Sequence, residues 1–493
     1  MLLNKYHDSL YNSLELAVGV GNMPDAISTQ SKLKLFLDIE RGEFVKTFDV
    51  LDKIAPLFKN HSLSIVGDVN ENLFKGENKH LNIKLKLKDD IYTLRNNTGR
   101  EKTIKSFFKE LGPESVWTYY RNDENMTYIL YNGKMYKEIN HEEFYKLKIT
   151  YKNIFIKSDK NNIEVVFNEF IKNANNLIEI SDGLINPFRY SSDSIGSLDI
   201  WRRLSKSYSY SDIIEKEEAN ILNLSFQGGL IYCKANYSGY GICYDINSYY
   251  PSLMIDRGFQ FPVECFEKVY YTENEFNRLT YYKYGIYRCS ILGEDILFKK
   301  NPMNIYCHYD LTVAKELGLK IVINTDEQYN FYYYSKEKLV KGMDVFGPFV
   351  EKLYELKLKN KTVKKYLNCL WGSLSAKSKY SKIINENDNF EVNSNFKIKS
   401  MDNINSDNIK INYTDKNKLF KTNEARVVFI TAYARYKLFK MIKQYKNNIV
   451  RIHTDSIILD KYVELTTGSG LGQWKIEAVG QCFIKNVNNV VFN

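Results

Sequence analysis

Two strand-like segments, GICYD closing at Asp245 and NIVRIHTD closing at Asp455, each end on a carboxylate, and together they constrain the fold more than any other feature of the chain. Carboxylates on adjacent strands can hold a pair of divalent cations, and for acids this far apart in sequence that would require non-local strand pairing. The chemistry served by such a pair is phosphoryl transfer, in which two metal ions about 3.5 to 4 Å apart activate an attacking oxygen and stabilise a leaving one. Taken singly, an aspartate at a strand end is more often a turn or helix cap.

The chain has 493 residues, 44% of them hydrophobic, which suffices for two to four domains with real cores. A formal charge of +10 permits a polyanionic partner, because each phosphate neutralised by Lys or Arg releases counterions. The seven cysteines form no C-x-x-C pair, unlike a zinc site or a disulfide framework. Acidic and polar residues interrupt the opening MLLNKYHDSLYNSLELAV, and no later apolar run is long enough to span a bilayer. The expectation is a protein without a membrane partner, in the cytoplasm.

Alternating patterns predict strands at 31–40 (SKLKLFLDIE) and 62–69 (SLSIVGDV), and helices at 102–110 and 163–177. The turn-rich NPFRYSSDS leads into the amphipathic IGSLDIWRRL, and the domain boundary is placed there, giving 1–189 and 190–493. Strand-like GLIYCKA and GICYDI precede a helix starting at Pro251 and Ser252. Residues 348–377 read as one long basic helical region, 427–442 as a helix, and NIVRIHTDSIIL as a strand. The Asn- and Asp-rich stretch 381–417 suits hairpins or a mobile insertion.

Taken in order, these segments resemble the motifs of family B DNA polymerases. Asp245-Ile246-Asn247-Ser248-Tyr249-Tyr250-Pro251-Ser252 matches Asp-x-x-Ser-Leu-Tyr-Pro-Ser, with Tyr249 in the Leu position. Lys364, Asn368 and Gly372 match the anchors of Lys-x-x-x-Asn-Ser-x-Tyr-Gly, with Cys369 for Ser and Trp371 for Tyr. His453-Thr454-Asp455-Ser456 matches Asp-Thr-Asp-Ser, with His453 in place of the first carboxylate. FQGGL, from Phe226 through Gly228 and Gly229, resembles the Tyr-x-Gly-Gly linker of the protein-primed branch, and LGQWKIE and GSLDIWRRL resemble further segments of it.

The resemblance implies an α+β palm with helical fingers at about 346–380, preceded by an RNase H-like, exonuclease-like domain. It implies a template-directed DNA polymerase for a viral or mobile-element genome, with deoxynucleoside triphosphates and primer-template DNA as its partners. Asp245 and Asp455 are the implied ligands of two Mg2+ ions, with the Ile246 carbonyl beside them and Mn2+ as an alternative ion. Tyr250 would lie under the incoming sugar and exclude a 2'-hydroxyl. Lys364 would face the triphosphate, with Lys357 as a second cation on the same helix face, while Asn368 and Trp371 would face the nascent base pair. Phe226, Gly228 and Gly229 would meet template phosphates, and Lys485 is a candidate for the primer end.

Asp38 and Glu40 in LFLDIERG fit the Asp-x-Glu opening of the family's exonuclease. No Asn-x-x-x-Phe-Asp segment follows; Asp68 is a loose substitute, and the Tyr208 to Asp212 motif lies too late, so the implied exonuclease is degenerate. The short stretch after Asp455 leads us to expect a thumb that is short, absent or supplied by an accessory subunit, and the branch suggests a terminal protein as primer. Two rival readings are another palm enzyme, such as a reverse transcriptase or RNA polymerase, and a non-catalytic polymerase-derived DNA-binding or scaffold subunit.

Overall fold

The computed structural model describes the strands Lys34–Ile39, Ser62–Gly67, Asn82–Leu87 and Asp90–Arg95 and residues 115–150, 154–190, 192–205, 213–385, 396–403, 408–415 and 419–493. Contacts divide the chain into two compact units, Met1–Gly112 and Pro113–Asn493. In the first, the four strands form one sheet in chain order, parallel at the first two junctions and antiparallel at the third. The expected strands at 31–40 and 62–69 fall on the first two of them. The expected helix at 102–110, Glu40, Asp68, the Asp38 side chain and the Tyr208 to Asp212 segment lie outside the described residues.

The second unit is α+β. Its central sheet has six strands, numbered β1 (Ile231–Cys233), β2 (Tyr237–Ile246), β3 (Ile449–His453), β4 (Ser456–Leu459), β5 (Trp474–Asn486) and β6 (Asn489–Phe492). They run antiparallel in the order β6-β5-β2-β4-β3-β1, so β2 is enclosed by strands from the far end of the sequence. Side chains alternate across a strand. Ile242, Tyr244 and Ile246 therefore enter the main core, while Cys243 turns to the other face and joins Val450, Ile458, Cys482 and Ile484 in a small apolar cluster. Asp245 shares the Cys243 side.

Five helices frame the site: α1 (Asp193–Ser205), α2 (Tyr249–Met254), α3 (Gly342–Lys359), α4 (Val363–Leu374) and α5 (Phe429–Ile442). In α4 the buried positions Val363, Tyr366, Leu367, Leu370 and Leu374 recur every three or four residues, giving one apolar stripe. Gly196 lets α1 approach that helix closely, since a Cβ there would stand 2.7 Å from the Tyr366 ring. Ser197 Oγ donates to the Tyr366 carbonyl at 2.7 Å and Trp201 Nε1 to the Val345 carbonyl of α3 at 3.1 Å.

Three expectations change. The single helical region at 348–377 is two helices, with α3 starting ahead of Pro348 and ending at Lys359. Asn360 breaks the run in an extended conformation, its side chain donating to Asn173 and Asn176 of the helix Ile163–Ile180 at 3.1 and 2.7 Å. NIVRIHTDSIIL is a hairpin turning at Thr454, whose φ is 63°. The helix near Pro251 begins earlier, at Tyr249. The Asn-rich stretch contains a three-stranded antiparallel sheet of Lys379–Asn385, Phe396–Asn403 and Asn408–Asp415, with the last strand central. No described helix is long and apolar enough to cross a membrane.

Candidate active site

Asp245 lies near the end of β2, in register with Ser456 of β4 and Lys475 of β5. Asp455 occupies the β3–β4 turn, and its carbonyl accepts the Ile246 N–H at 3.0 Å. That bond ties the end of β2 to the hairpin, so the two acids sit on either side of one backbone contact. Burial, and then the charge of Asp245, pushes the Asp455 carboxyl up to about 6. Burial also raises Asp245, with Lys475 offsetting part of the rise. Two largely buried acids, one of which raises the other, form a place where a cation is favoured.

Hard carboxylate oxygens suit Mg2+. Among the described residues no group of three or more His, Cys, Asp or Glu could hold a metal, so Asp245 and Asp455 would be the protein's charged share of any coordination shell. His453, next to them, is held below its usual value by burial and by Arg451, so it stays neutral near pH 7.

Cations converge on the acids from three elements. Lys357 is near the end of α3 and Lys364 near the start of α4, so the two stand on separate helices and not on one face of a single helix. They still face a common space: burial, then the charges of Lys364 and Lys475, lowers the Lys357 ammonium, and Asp455 senses Lys364. Lys357 Nζ donates to Ser248 Oγ at 2.9 Å, fixing the left-handed residue that opens α2. Two residues on, Tyr250 stacks on Trp371 of α4 with ring centres 4.6 Å apart and planes at 23°. Burial pushes the Tyr250 hydroxyl up to about 12, so it stays protonated. One turn before Trp371, Asn368 Oδ1 is buried with no hydrogen-bond partner among the described residues.

The Phe226 to Gly229 linker lies against the Asp455 hairpin. Phe226 is exposed after the helix Lys216–Ser225. Arg435 of α5, paired with Asp310 at 2.9 Å in a buried position, donates to the Gln227 and Gly228 carbonyls, each at 2.9 Å. Lys299 Nζ donates to the Gly229 carbonyl at 2.9 Å, and the Thr454 N–H to that of Leu230 at 2.9 Å. A Cβ on Gly229 would stand 2.7 Å from Thr454 side-chain atoms. Gly229→Ala is therefore expected to displace the hairpin that carries Asp455, costing about 1–3 kcal/mol and lowering catalysis even well below the melting point. Thermal melts alongside primer extension check this; a variant matching the parent in both would remove Gly229 from the role. Lys485 is not brought to the acids: it lies about 30 Å from Lys475 along β5.

The family described as DNA polymerase type B, organellar and viral, matches residues 97–448. The chain belongs to the type B DNA polymerases. The matched segment contains Phe226 through Trp371 and stops just before the Asp455 hairpin. No curated protein is close enough to the polymerase to match it. Solved structures similar to it include Phi29 DNA polymerase with single-stranded DNA, at 14% identity and TM-score 0.47, over 90% of this chain and 83% of that one. Another is the Phi29 ternary complex with primer-template DNA and incoming nucleotide, at 13% and 0.46, over 89% and 81%. The Phi29 binary complex with primer-template DNA gives 15% and 0.46, over 96% and 83%.

The sequence reading gave no role to four residues that the structure places around the candidate site, Lys299, Arg435, Lys475 and Glu477, and none beyond a motif match to Ser248. Arg435 carried a signal, since a lone guanidinium on the buried side of an apolar helix needs a buried partner. Lys475 and Glu477 alternate in LGQWKIE and so share one strand face, but only pairing with β2 reveals which acid they meet.

Proposed function

We propose that this polymerase extends a 3'-hydroxyl with deoxynucleotides selected by a DNA template, with Asp245 and Asp455 as its metal-holding acids. The observation that carries the reading is the backbone tie between Ile246 and Asp455, which sets both acids beside the converging charges of Lys357, Lys364 and Lys475. Divalent ions bound there would supply activation of the attacking oxygen and stabilisation of the departing pyrophosphate. Lys364 and Lys357 neutralise the triphosphate, and the Tyr250–Trp371 stack closes the space beside its sugar. Asn368 offers an acceptor to the nascent base pair, and the Gly228–Gly229 segment would meet the template backbone.

The finer reading follows the sequence resemblance. FQGGL and LGQWKIE favour the protein-primed branch, a viral or mobile-element genome, and a terminal protein or thumb-supplying subunit as partner in the host cytoplasm or a viral replication site. Residues 1–189 form a degenerate exonuclease-like region in this reading, and 190–493 the palm and fingers. A second reading, a non-catalytic scaffold subunit, is favoured by one observation, the neutral His453 beside Asp455.

Primer extension with one deoxynucleotide at a time decides between them. The proposal expects Mg2+-dependent addition of only the nucleotide complementary to the template, abolished by chelation. A chain that binds primer-template DNA and extends nothing with either Mg2+ or Mn2+ would establish the scaffold reading.

A further inference from the structure

Lys475 makes an unexpected contact at the centre of the site. Its Nζ lies 3.2 Å from Asp245 Oδ2 and 2.6 Å from Glu477 Oε1. The cross-strand register sets it there, since Lys475 faces Asp245 directly across the β5–β2 pair. A bulge next to it leaves Glu477 as the extra residue, because Tyr244 pairs with Ile476 and Cys243 with Ala478. The ammonium is thus shared between two carboxylates of different standing. Asp245 is four-fifths buried and Glu477 about half exposed, with side-chain exposures of 19% and 45%.

We propose that Lys475 is a built-in counter-ion that occupies Asp245 when no metal is bound and must leave it for a divalent ion to bind, with Glu477 retaining the displaced ammonium. The inference rests on the reading of Asp245 and Asp455 as metal ligands. An ammonium 3.2 Å from a carboxylate oxygen and a divalent cation on the same oxygen are exclusive by distance and by charge. Metal binding and Lys475 release are therefore one linked equilibrium. Glu477 sets its position by giving the lysine a second partner within reach of the first. Lys475 acts as a positioning residue here: it governs how readily the site loads and takes no part in bond making.

The test is Mn2+ binding to the full chain without nucleotide or DNA, followed by the electron paramagnetic resonance signal of free Mn2+. Lys475→Met, which keeps the aliphatic stem, is expected to tighten Mn2+ about tenfold, while Lys475→Arg stays near the parent. Glu477→Gln is expected to weaken binding several-fold in the parent and clearly less in the Lys475→Met background, where only the direct field of the carboxylate at the two acids remains. A Glu477→Gln effect that is undiminished in the double variant, or a Lys475→Met chain that binds Mn2+ no more tightly than the parent, overturns the proposal. Asp455→Asn separates this failure from that of the underlying reading. If it leaves Mn2+ affinity unchanged, the acids are not the metal site; if it weakens binding while Lys475→Met changes nothing, only the counter-ion role is lost.

Discussion

Asp455→Asn is expected to lose at least about a thousandfold in primer extension and, at the same time, to be more stable than the parent at neutral pH. The first effect follows from removing one of two charges that hold metal at the reacting oxygens. The second follows from the cost of keeping that charge half-buried beside Asp245, which pushes the carboxyl from 3.8 to about 6 in the folded chain. Because the folded value is the higher one, the native state holds this proton more tightly than the unfolded chain does. The stability it gives is complete below about 3.8 and fades as pH rises through about 6. Above that window the ionised group is a net burden, on the order of 1–3 kcal/mol, which the neutral amide relieves. Melting curves for parent and variant should therefore differ at pH 7.5 and converge at pH 4. A variant that is inactive and also less stable at pH 7.5 would indicate that Asp455 supports the hairpin, and would remove the case for a charge kept for catalysis.

The same pair of acids explains how much of the site was legible. Alternating apolar residues in GICYDI predicted a strand, which is a local pattern, whereas the pairing of the two acids was implied by the resemblance of the three ordered motifs to those of the family. The pairing of Lys357 with Lys364 was anticipated from a helical repeat that the chain does not keep. Residues 360–362, Asn-Lys-Thr, carry no apolar side chain to disturb the periodicity, so the break at Asn360 was invisible until its bonds to Asn173 and Asn176 were seen. Lys475 beside Asp245 could not be read, because a cross-strand partner depends on register between distant segments and on a bulge at Glu477. Between 84 and 180, where charged residues interrupt every apolar run and the sequence places elements only loosely, the cause is short strands. In Thr127–Tyr131 only Tyr128 and Leu130 are buried, and in the neighbouring Tyr136–Ile139 only Ile139, so each strand is too short to show a period above its noise.

Tyr250→Val is expected to reduce discrimination against ribonucleotides by about a hundredfold while leaving deoxynucleotide addition measurable. The ring is held by two aromatic neighbours. Trp371 stacks on it at 4.6 Å, and Tyr249, buried and donating to the Ala434 carbonyl at 2.6 Å, lies tilted to it at 5.9 Å. A side chain fixed in this way cannot swing aside for a 2'-hydroxyl, so selection would come from exclusion and not from a contact made to the correct sugar. The stack itself should then matter by a smaller amount. Trp371→Leu leaves Tyr250 in place but removes one wall, and an aromatic pair contributes about 0.5–1.5 kcal/mol, so discrimination should fall about three- to tenfold. Single-nucleotide incorporation with matched ribo- and deoxyribonucleotides measures both ratios. If Tyr250→Val gains no ribonucleotide incorporation, the ring does not face the sugar, and discrimination between the two sugars must come from another wall of the site.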